Sequence, residues 1–429
     1  MMEILSTGRP EWRDALGKIL DRMTAIPEEV DETVRMIIRD VRVRGDAALA
    51  EYTGRFDGFD PIAEGFVISR EMIEQSASRV DADLRSALAA AASRIEAFHS
   101  RQKERSWIAP EDSGMILGQM VTPLSCVGVY VPGGRNAFPS TLLMNVIPAK
   151  IAGVGEIVVA SPTPGGMVSD ALLAAAHIAG VDRIFRIGGA QAVAALTFGT
   201  ATVPKVDKIV GPGNIYVAHA KRLVQDRVGI DAFAGPSEIL VIADSGADPD
   251  IVAMDLLSQA EHDPTASAIL VTPHESLARD VTAKVAAYAQ TLPRRDVLER
   301  SLNEHSLCII TRDLEEALAV ANTVAPEHLE LMVENAFEHL GKVRNAGAVF
   351  LGYHTPEAIG DYIAGPNHTL PTGSTARFSS PLGVYDFVKR SSIIYATEPA
   401  VRELGTLAVQ IARAEGLEAH ARSVENRIR

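Results

Sequence analysis

Cysteine is almost absent. Cys126 and Cys308 are the only two in 429 residues, too few for a disulfide framework. The opening MMEILSTGRPEWRD lacks the apolar core of a secretion signal, so a reducing, cytoplasmic setting is expected. No stretch offers the ~20 clean apolar residues that a membrane span needs; the most apolar one, 141–160, is interrupted by Pro148, Lys150 and Glu156. Basic residues are in deficit, 41 Lys and Arg against 55 Asp and Glu, for a net charge of −14. That balance disfavours nucleic acid and anionic lipid as partners and leaves any anionic ligand to a local pocket. Tandem repeats of solenoid period and low-complexity segments are missing too. What is present is an ordinary globular mixture, 47% hydrophobic and 22% charged, with enough chain for two or three domains at roughly 150 residues each.

From Glu11 to about Arg105 apolar residues recur at three- and four-residue spacings, as in DADLRSALAAAASRIEAFHSRQKER, which predicts a helical N-terminal region. From Val127 the rhythm changes to short β-branched runs alternating with helical stretches. VGVYVP, EIVVASP, RIFRIGG and KIVGPG form one series, and EILVIAD, AILVTPH, LCIIT and AVFLG a second. Such alternation is the pattern of parallel sheets covered by helices on both faces, so two α/β units are expected. Asp313 with Glu316 reads as a capping box before LEEALAVAN, and Asp248 with Pro249 as another helix start. Beyond Gly352 the chain turns irregular through GDYIAGPNHTLPTGSTARFSS, a ligand-lining loop by expectation. It returns to helix at PAVRELGTLAVQIARAE, with a break at Gly416.

Parallel sheets bind ligands beyond the carboxyl ends of their strands, so the turns after strands are the places to look. VYVPGGRNAFPST, RIGGAQAVAA and IVGPGNIYVAHAKR each run from strand through glycine turn to helix. Exposed amides and the helix dipole at such a turn favour a phosphate. None completes G-x-G-x-x-G, since Tyr216 stands where the last glycine of the third turn would fall, and no Gly-Lys-Ser/Thr marks a P-loop. Each alone reads as an ordinary strand-to-helix connection, and the cluster of three strengthens the nucleotide reading.

In DPDIVAMDLLSQAEHD a helix would set Gln259 and His262 about 60° apart around its axis, able to point at one ion, with Glu261 turned elsewhere. Local pattern reads this as a polar helix end unless more donors converge. Asp361 and His368 in the irregular loop and His420 in the terminal helix are available for an oxygen and nitrogen site of the zinc type. In APEHL, Pro326 reads as a first helical position, with Glu327 and His328 in the first turn about 100° apart and serving different atoms of a substrate. There the dipole would favour the carboxylate and keep the imidazole neutral, poised to accept a proton; an acidic first turn with a surface histidine fits the local pattern as well. His177 reads as core or interface, His99, His219 and His339 as solvated, and His274, His305 and His354 as turn residues. Cys126 and Cys308 fall among apolar strand neighbours, where thiols are inert, so a thioester mechanism is disfavoured.

Taken together, GVYVPGG, RIGGAQAVAAL, KIVGPGN, AGPSEILVIAD, LLSQAEHD, APEHLEL, AIGDYIAGPNHTLPTG and AEGLEAHARSV resemble the histidinol dehydrogenase family over most of the chain. The resemblance implies an enzyme of the last steps of histidine biosynthesis, with one zinc ion per subunit. It would use two NAD+ in succession, oxidising L-histidinol through L-histidinal to L-histidine. It assigns zinc to Gln259, His262, Asp361 and His420, and acid–base work to Glu327 and His328, with Glu327 activating the water that hydrates the aldehyde. Substrate contacts would come from Ser237, His368 and Glu415 together with His328 and the metal ligands, and NAD contacts from Tyr130, Gln191 and Asn214.

The implied fold is two incomplete Rossmann-like parallel-sheet domains, aldehyde-dehydrogenase-like, with a helical N-terminal region and a small C-terminal helical arm. Residues 1–126 would pack with 237–381 as one domain carrying the zinc and acid–base residues, and 127–236 would form the NAD domain. Residues 382–429 would be an arm exchanged in an intertwined homodimer, carrying Glu415 and His420 into the partner's site. The alternatives are a paralogous zinc and NAD dehydrogenase of another small polar alcohol, such as a sulfopropanediol, and a metal-dependent hydrolase, against which the glycine turns argue.

Overall fold

The computed structural model describes residues 2–22, 26–133, 138–232 and 235–428. Two six-stranded sheets organise them. In the first the spatial order is Glu3–Ser6, Leu307–Ile310, Ser267–Thr272, Glu238–Ala243, His328–Met332 and Ala348–Leu351, every neighbour parallel. The second runs Val67–Ile68, Arg183–Phe185, Glu156–Ala160, Cys126–Tyr130, Lys208–Val210 and Gly229–Ile230, parallel except at the first strand. The central strands EILVIA and SAILVT are buried at every position, as continuous apolar runs covered on both faces must be. The α/β class with parallel sheets is thus the one read from the sequence.

The helix starts follow local chemistry. Asp248 accepts from the Asp250 amide ahead of Pro249–Ala260. Asp313 accepts from the Glu316 amide at 2.8 Å, while the Glu316 carboxylate reaches back to the Arg312 amide at 2.7 Å. These bonds satisfy amides that the first helical turn leaves open.

The N-terminal region, expected to side with the 237–381 sheet, is divided in the structure. Met2 and the helix Glu11–Arg22 join that sheet, with Trp12, Leu16 and Ile19 against Leu240, Ile242 and Leu329. The helices between Glu28 and His99 cover the other sheet instead: Val34, Ile37 and Leu49 pack near Val158 and Phe185 on one face, and Ile73, Leu88 and Ile95 near Val127 and Leu142 on the other. A parallel sheet must be covered on both faces, and the four helices between 139 and 224 are supplemented by these.

The expected C-terminal helical arm opens with a strand. Val388–Ala396 pairs antiparallel with Met115–Pro123, which pairs with Trp107–Pro110. Helices Glu398–Ala414 and Glu418–Ile428 follow and pack on each other, hinged at Gly416, whose φ of +76° suits glycine. Among the described residues no helix is long and apolar enough to cross a membrane.

Candidate active site

Helix Leu314–Val324 ends in a left-handed Ala325, φ +52°, and after Pro326 the chain enters the strand His328–Met332. The helix start expected at Pro326 is therefore a helix stop followed by a strand. Proline just past a left-handed cap ends a helix as readily as it begins one, and HLELM finds parallel partners on both sides, Ile239 opposite His328 and Ala348 beyond it. The dipole argument for the pair falls with it. The position is also the reverse of the carboxyl-end rule, because Glu327 and His328 stand at the amino edge of their sheet. The glycine turns obey the rule: they follow strands Cys126–Tyr130, Arg183–Phe185 and Lys208–Val210 of the second sheet. The two edges meet across a small cavity lined by Pro212 and Asp231 from one side and Ser237, Glu327 and His368 from the other.

One residue grips the pair. The Glu238 amide donates to Glu327 Oε2 at 2.9 Å, and the Glu238 carbonyl lies 3.0 Å from His328 Nδ1. A carbonyl only accepts, so Nδ1 carries a proton in either charge state and Nε2 is the nitrogen whose proton can come and go. Although expected to diverge, Glu327 and His328 approach to 3.7 Å, because Glu327 precedes the strand and escapes its alternation. Nε2 points toward Asp361 Oδ1 at 3.6 Å and Glu357 Oε1 at 3.8 Å. The Phe350 ring lies 6.0 Å away.

Burial and charge oppose each other here. Burial pulls the His328 imidazole down, but Glu327, Asp361 and Glu357 outweigh it and lift its pKa to about 10. Burial pushes Glu327 up to about 7, with His328 and the Glu238 amide pulling back. Glu238 and Glu357 rise to about 8, chiefly by burial. Burial alone would raise Asp361 too, yet its attraction to His328 and His368 holds it well below the usual carboxylate range.

Gln259 and His262 sit together at the end of helix Pro249–Ala260, the His262 amide bonded to the Gln259 carbonyl at 3.1 Å. Gln259 is buried and its Oε1 has no partner. Burial keeps His262 below its ordinary range against the pull of Asp361, and His368 Nδ1 bonds the Asp361 carbonyl oxygen at 2.9 Å. A tighter donor group, His328, Glu357 and Asp361, has ligand atoms within 4.8 Å of one another; it shares only Asp361 with the set expected from sequence. A cleft of about 630 Å³ opens at His262, walled by Leu84, Leu88, Leu143 and Tyr362. Another of about 410 Å³ opens at His328, Asp361 and His368. Glu415 and His420 lie exposed on the terminal helix pair, and neither is part of the His328, Glu357 and Asp361 donor group.

At the opposing edge Tyr130 is buried and its hydroxyl accepts from the Gly189 amide at 3.1 Å. Gln191, in the first turn of helix Gly189–Phe198, is buried with Oε1 unpartnered. Asn214 caps helix Ile215–Val224, its Oδ1 accepting from the Tyr216 and Val217 amides, both at 3.1 Å. Gly134–Ala137 of the first glycine turn, and Ala234 of the AGPSEILVIAD segment, lie outside the described residues.

The histidinol dehydrogenase family model matches residues 20–428. The chain belongs to the histidinol dehydrogenase family. It is 54% identical to a histidinol dehydrogenase of Syntrophotalea carbinolica over 429 residues, 100% of each protein. Against that of Pseudomonas putida it is 53% identical over 425 residues, covering 99% of this chain and 96% of the relative. The crystal structure of histidinol dehydrogenase from Elizabethkingia anophelis superposes with a TM-score of 0.93 at 36% identity, covering 100% of this chain and 98% of that one.

In this histidinol dehydrogenase family member several polar residues about the site escaped the sequence reading. Glu238, Glu330 and Glu357 are all buried near His328, and the Glu357 amide donates to Glu330 Oε1 at 2.7 Å. The available signal was a glutamate inside an otherwise apolar parallel strand, in EILVIA and HLELM, where an unpaired charge is expensive. His99 and His219, expected to be solvated, are buried, on Gln102 at 2.8 Å and Asp31 at 2.6 Å; His177 is exposed rather than core. Burial lifts Cys126 to about 11 and Cys308 to about 12, so neither is a thiolate at neutral pH.

Proposed function

We propose that this protein oxidises L-histidinol through L-histidinal to L-histidine, using one zinc ion per subunit and two NAD+ in succession. The supporting observation is the buried Glu327–His328 pair held by the main-chain amide and carbonyl of one residue, Glu238, with Nε2 of the histidine facing Asp361. A zinc site fits the residues present: the buried, unpartnered Gln259 oxygen needs a partner, and Gln259, His262 and Asp361 with His420 make a nitrogen and oxygen set that suits zinc. Zinc, when bound, supplies a fixed positive anchor for the substrate, and NAD+ the acceptor for each hydride. The glycine turns fit a dinucleotide through helix-start amides and the unpartnered Gln191 oxygen.

The neutral form of His328, protonated at Nδ1, takes the hydroxyl proton of the alcohol at Nε2, and the carboxylates that favour the charged ring stabilise the imidazolium that results. Glu327 takes a proton from the water that adds to the aldehyde carbon, and its raised pKa matches that exchange near neutrality. Once its first proton has passed to solvent, His328 takes a proton from the hydrate in the second oxidation. Ser237, His368 and Glu415 contact the substrate, and Tyr130, Gln191 and Asn214 the cofactor. Glu415 and His420 come from the second chain of a homodimer in the cytoplasm, their exposure on the terminal helix pair being consistent with delivery elsewhere.

Purified protein supplied with L-histidinol and NAD+ should form two NADH for each histidine. No NADH at saturating histidinol, with turnover of a sulfopropanediol instead, would transfer the assignment to a related polar alcohol; turnover of neither would overturn it.

A further inference from the structure

Beneath the third glycine turn lies a charge pair that the reaction above does not use. Lys221, on helix Ile215–Val224, and Asp231, just beyond strand Gly229–Ile230, are in direct contact with side chains only 3% and 4% exposed. Together they take both polar groups of one residue. The Gly211 amide donates to Asp231 Oδ2 at 2.7 Å, and Lys221 Nζ donates to the Gly211 carbonyl at 3.0 Å. Gly211 has φ of +106°, and a Cβ there would run into the Tyr130 carbonyl oxygen. Gly211 can therefore carry no side chain of its own to brace the turn, and those bonds hold its main chain.

A buried ion pair is a poor way to hold a helix to a strand, since apolar residues of similar volume stabilise as well or better. What such a pair offers instead is directional grip. The gripped residue lies between two functional edges: Pro212 and Asp231 line the cavity that Glu327 and Ser237 share, and Asn214 opens the next helix. We infer that Lys221 and Asp231 are positioning residues that lock the Gly211 peptide so that the 211–214 turn receives a dinucleotide facing the acid–base pair. This rests on the functional reading above.

The test combines a direct binding titration with kinetics on the full-length protein. In Lys221→Met/Asp231→Leu, NADH affinity measured by fluorescence titration should fall about tenfold and KM for NAD+ rise in parallel, while KM for histidinol stays within about twofold and the melting temperature is retained. Asp231→Asn, which keeps an acceptor for the Gly211 amide, should bind NADH within about threefold of the unmodified protein. If the double variant does not fold, Lys221→Met/Asp231→Asn, which leaves no unpaired buried charge but removes the grip on the Gly211 carbonyl, should show the same selective loss. NADH affinity unchanged in a folded variant that lacks Lys221, or both KM values rising together, overturns the inference. A selective loss of NADH affinity in a protein that never oxidises histidinol would instead sustain the positioning role and remove the functional reading.

Discussion

His328 Nδ1 donates to the main-chain carbonyl of Glu238, the two atoms 3.0 Å apart, so in the neutral ring Nε2 is the nitrogen able to take a proton from a substrate. His328→Gln retains a polar side chain but no base of comparable strength. Both half-reactions should slow by about 10²–10⁴-fold, measured as single-turnover rates with histidinol and with histidinal. Rates within threefold of the unmodified protein would exclude His328 as the base.

Glu327→Gln is a cleaner separation of roles. The amide oxygen of glutamine can still accept from the Glu238 amide, so the geometry at 2.9 Å is preserved while the proton-accepting carboxylate is lost. Aldehyde oxidation, which needs a hydrating water, should fall about a hundredfold, and alcohol oxidation by clearly less. Equal losses in the two steps would contradict the assignment of water activation to this residue.

His262→Ala should remove stoichiometric zinc, because one imidazole of an already sparse donor set disappears. Elemental analysis of dialysed protein reads the outcome directly. A full equivalent retained in the variant would point to the alternative group around His328, Glu357 and Asp361.

The eight strands written as continuous β-branched runs were legible because burial on both faces leaves no other pattern for such runs. His328–Met332 was not, since Ala-Pro-Glu is a signal shared by helix starts and helix stops, and only pairing with Ile239 and Ala348 decides between them. Strands as short as Val67–Ile68 and Gly229–Ile230 carry too few residues for any period to show. The amphipathic helices between 28 and 99 announced that they bury a face; which sheet receives it is a tertiary fact. At the site, Gln259 with His262 and Glu327 with His328 were readable as local pairs. The grip of Glu238 on the latter, and of Lys221 and Asp231 on Gly211, arises between segments that sequence proximity does not connect.

Asn214 has two duties that substitution can separate. Its Oδ1 caps helix Ile215–Val224, so Asn214→Ala should cost about 1 kcal/mol of stability, read by chemical denaturation. Asn214→Asp keeps the capping oxygen and should restore that stability. A dinucleotide contact through the lost amide N–H group would then show as weakened NADH binding in a protein of normal stability, and unchanged binding would confine Asn214 to the cap.

The proposed sharing of the site between subunits makes the strongest demand on the exposed terminal helices. Glu415 and His420 are exposed, and His420 is outside the donor group of His328, Glu357 and Asp361, so the proposed zinc set is one that a second chain's arm would complete. His328→Ala and His420→Ala subunits should each be inactive alone. In a mixed dimer one of the two sites would combine an intact His328 with an intact His420, so unfolding and refolding the two variants together should restore up to about a quarter of the unmodified activity under random pairing. Subunit exchange verified by differently tagged chains, with no activity recovered, would show that each chain completes its own site and that the terminal helices serve another purpose.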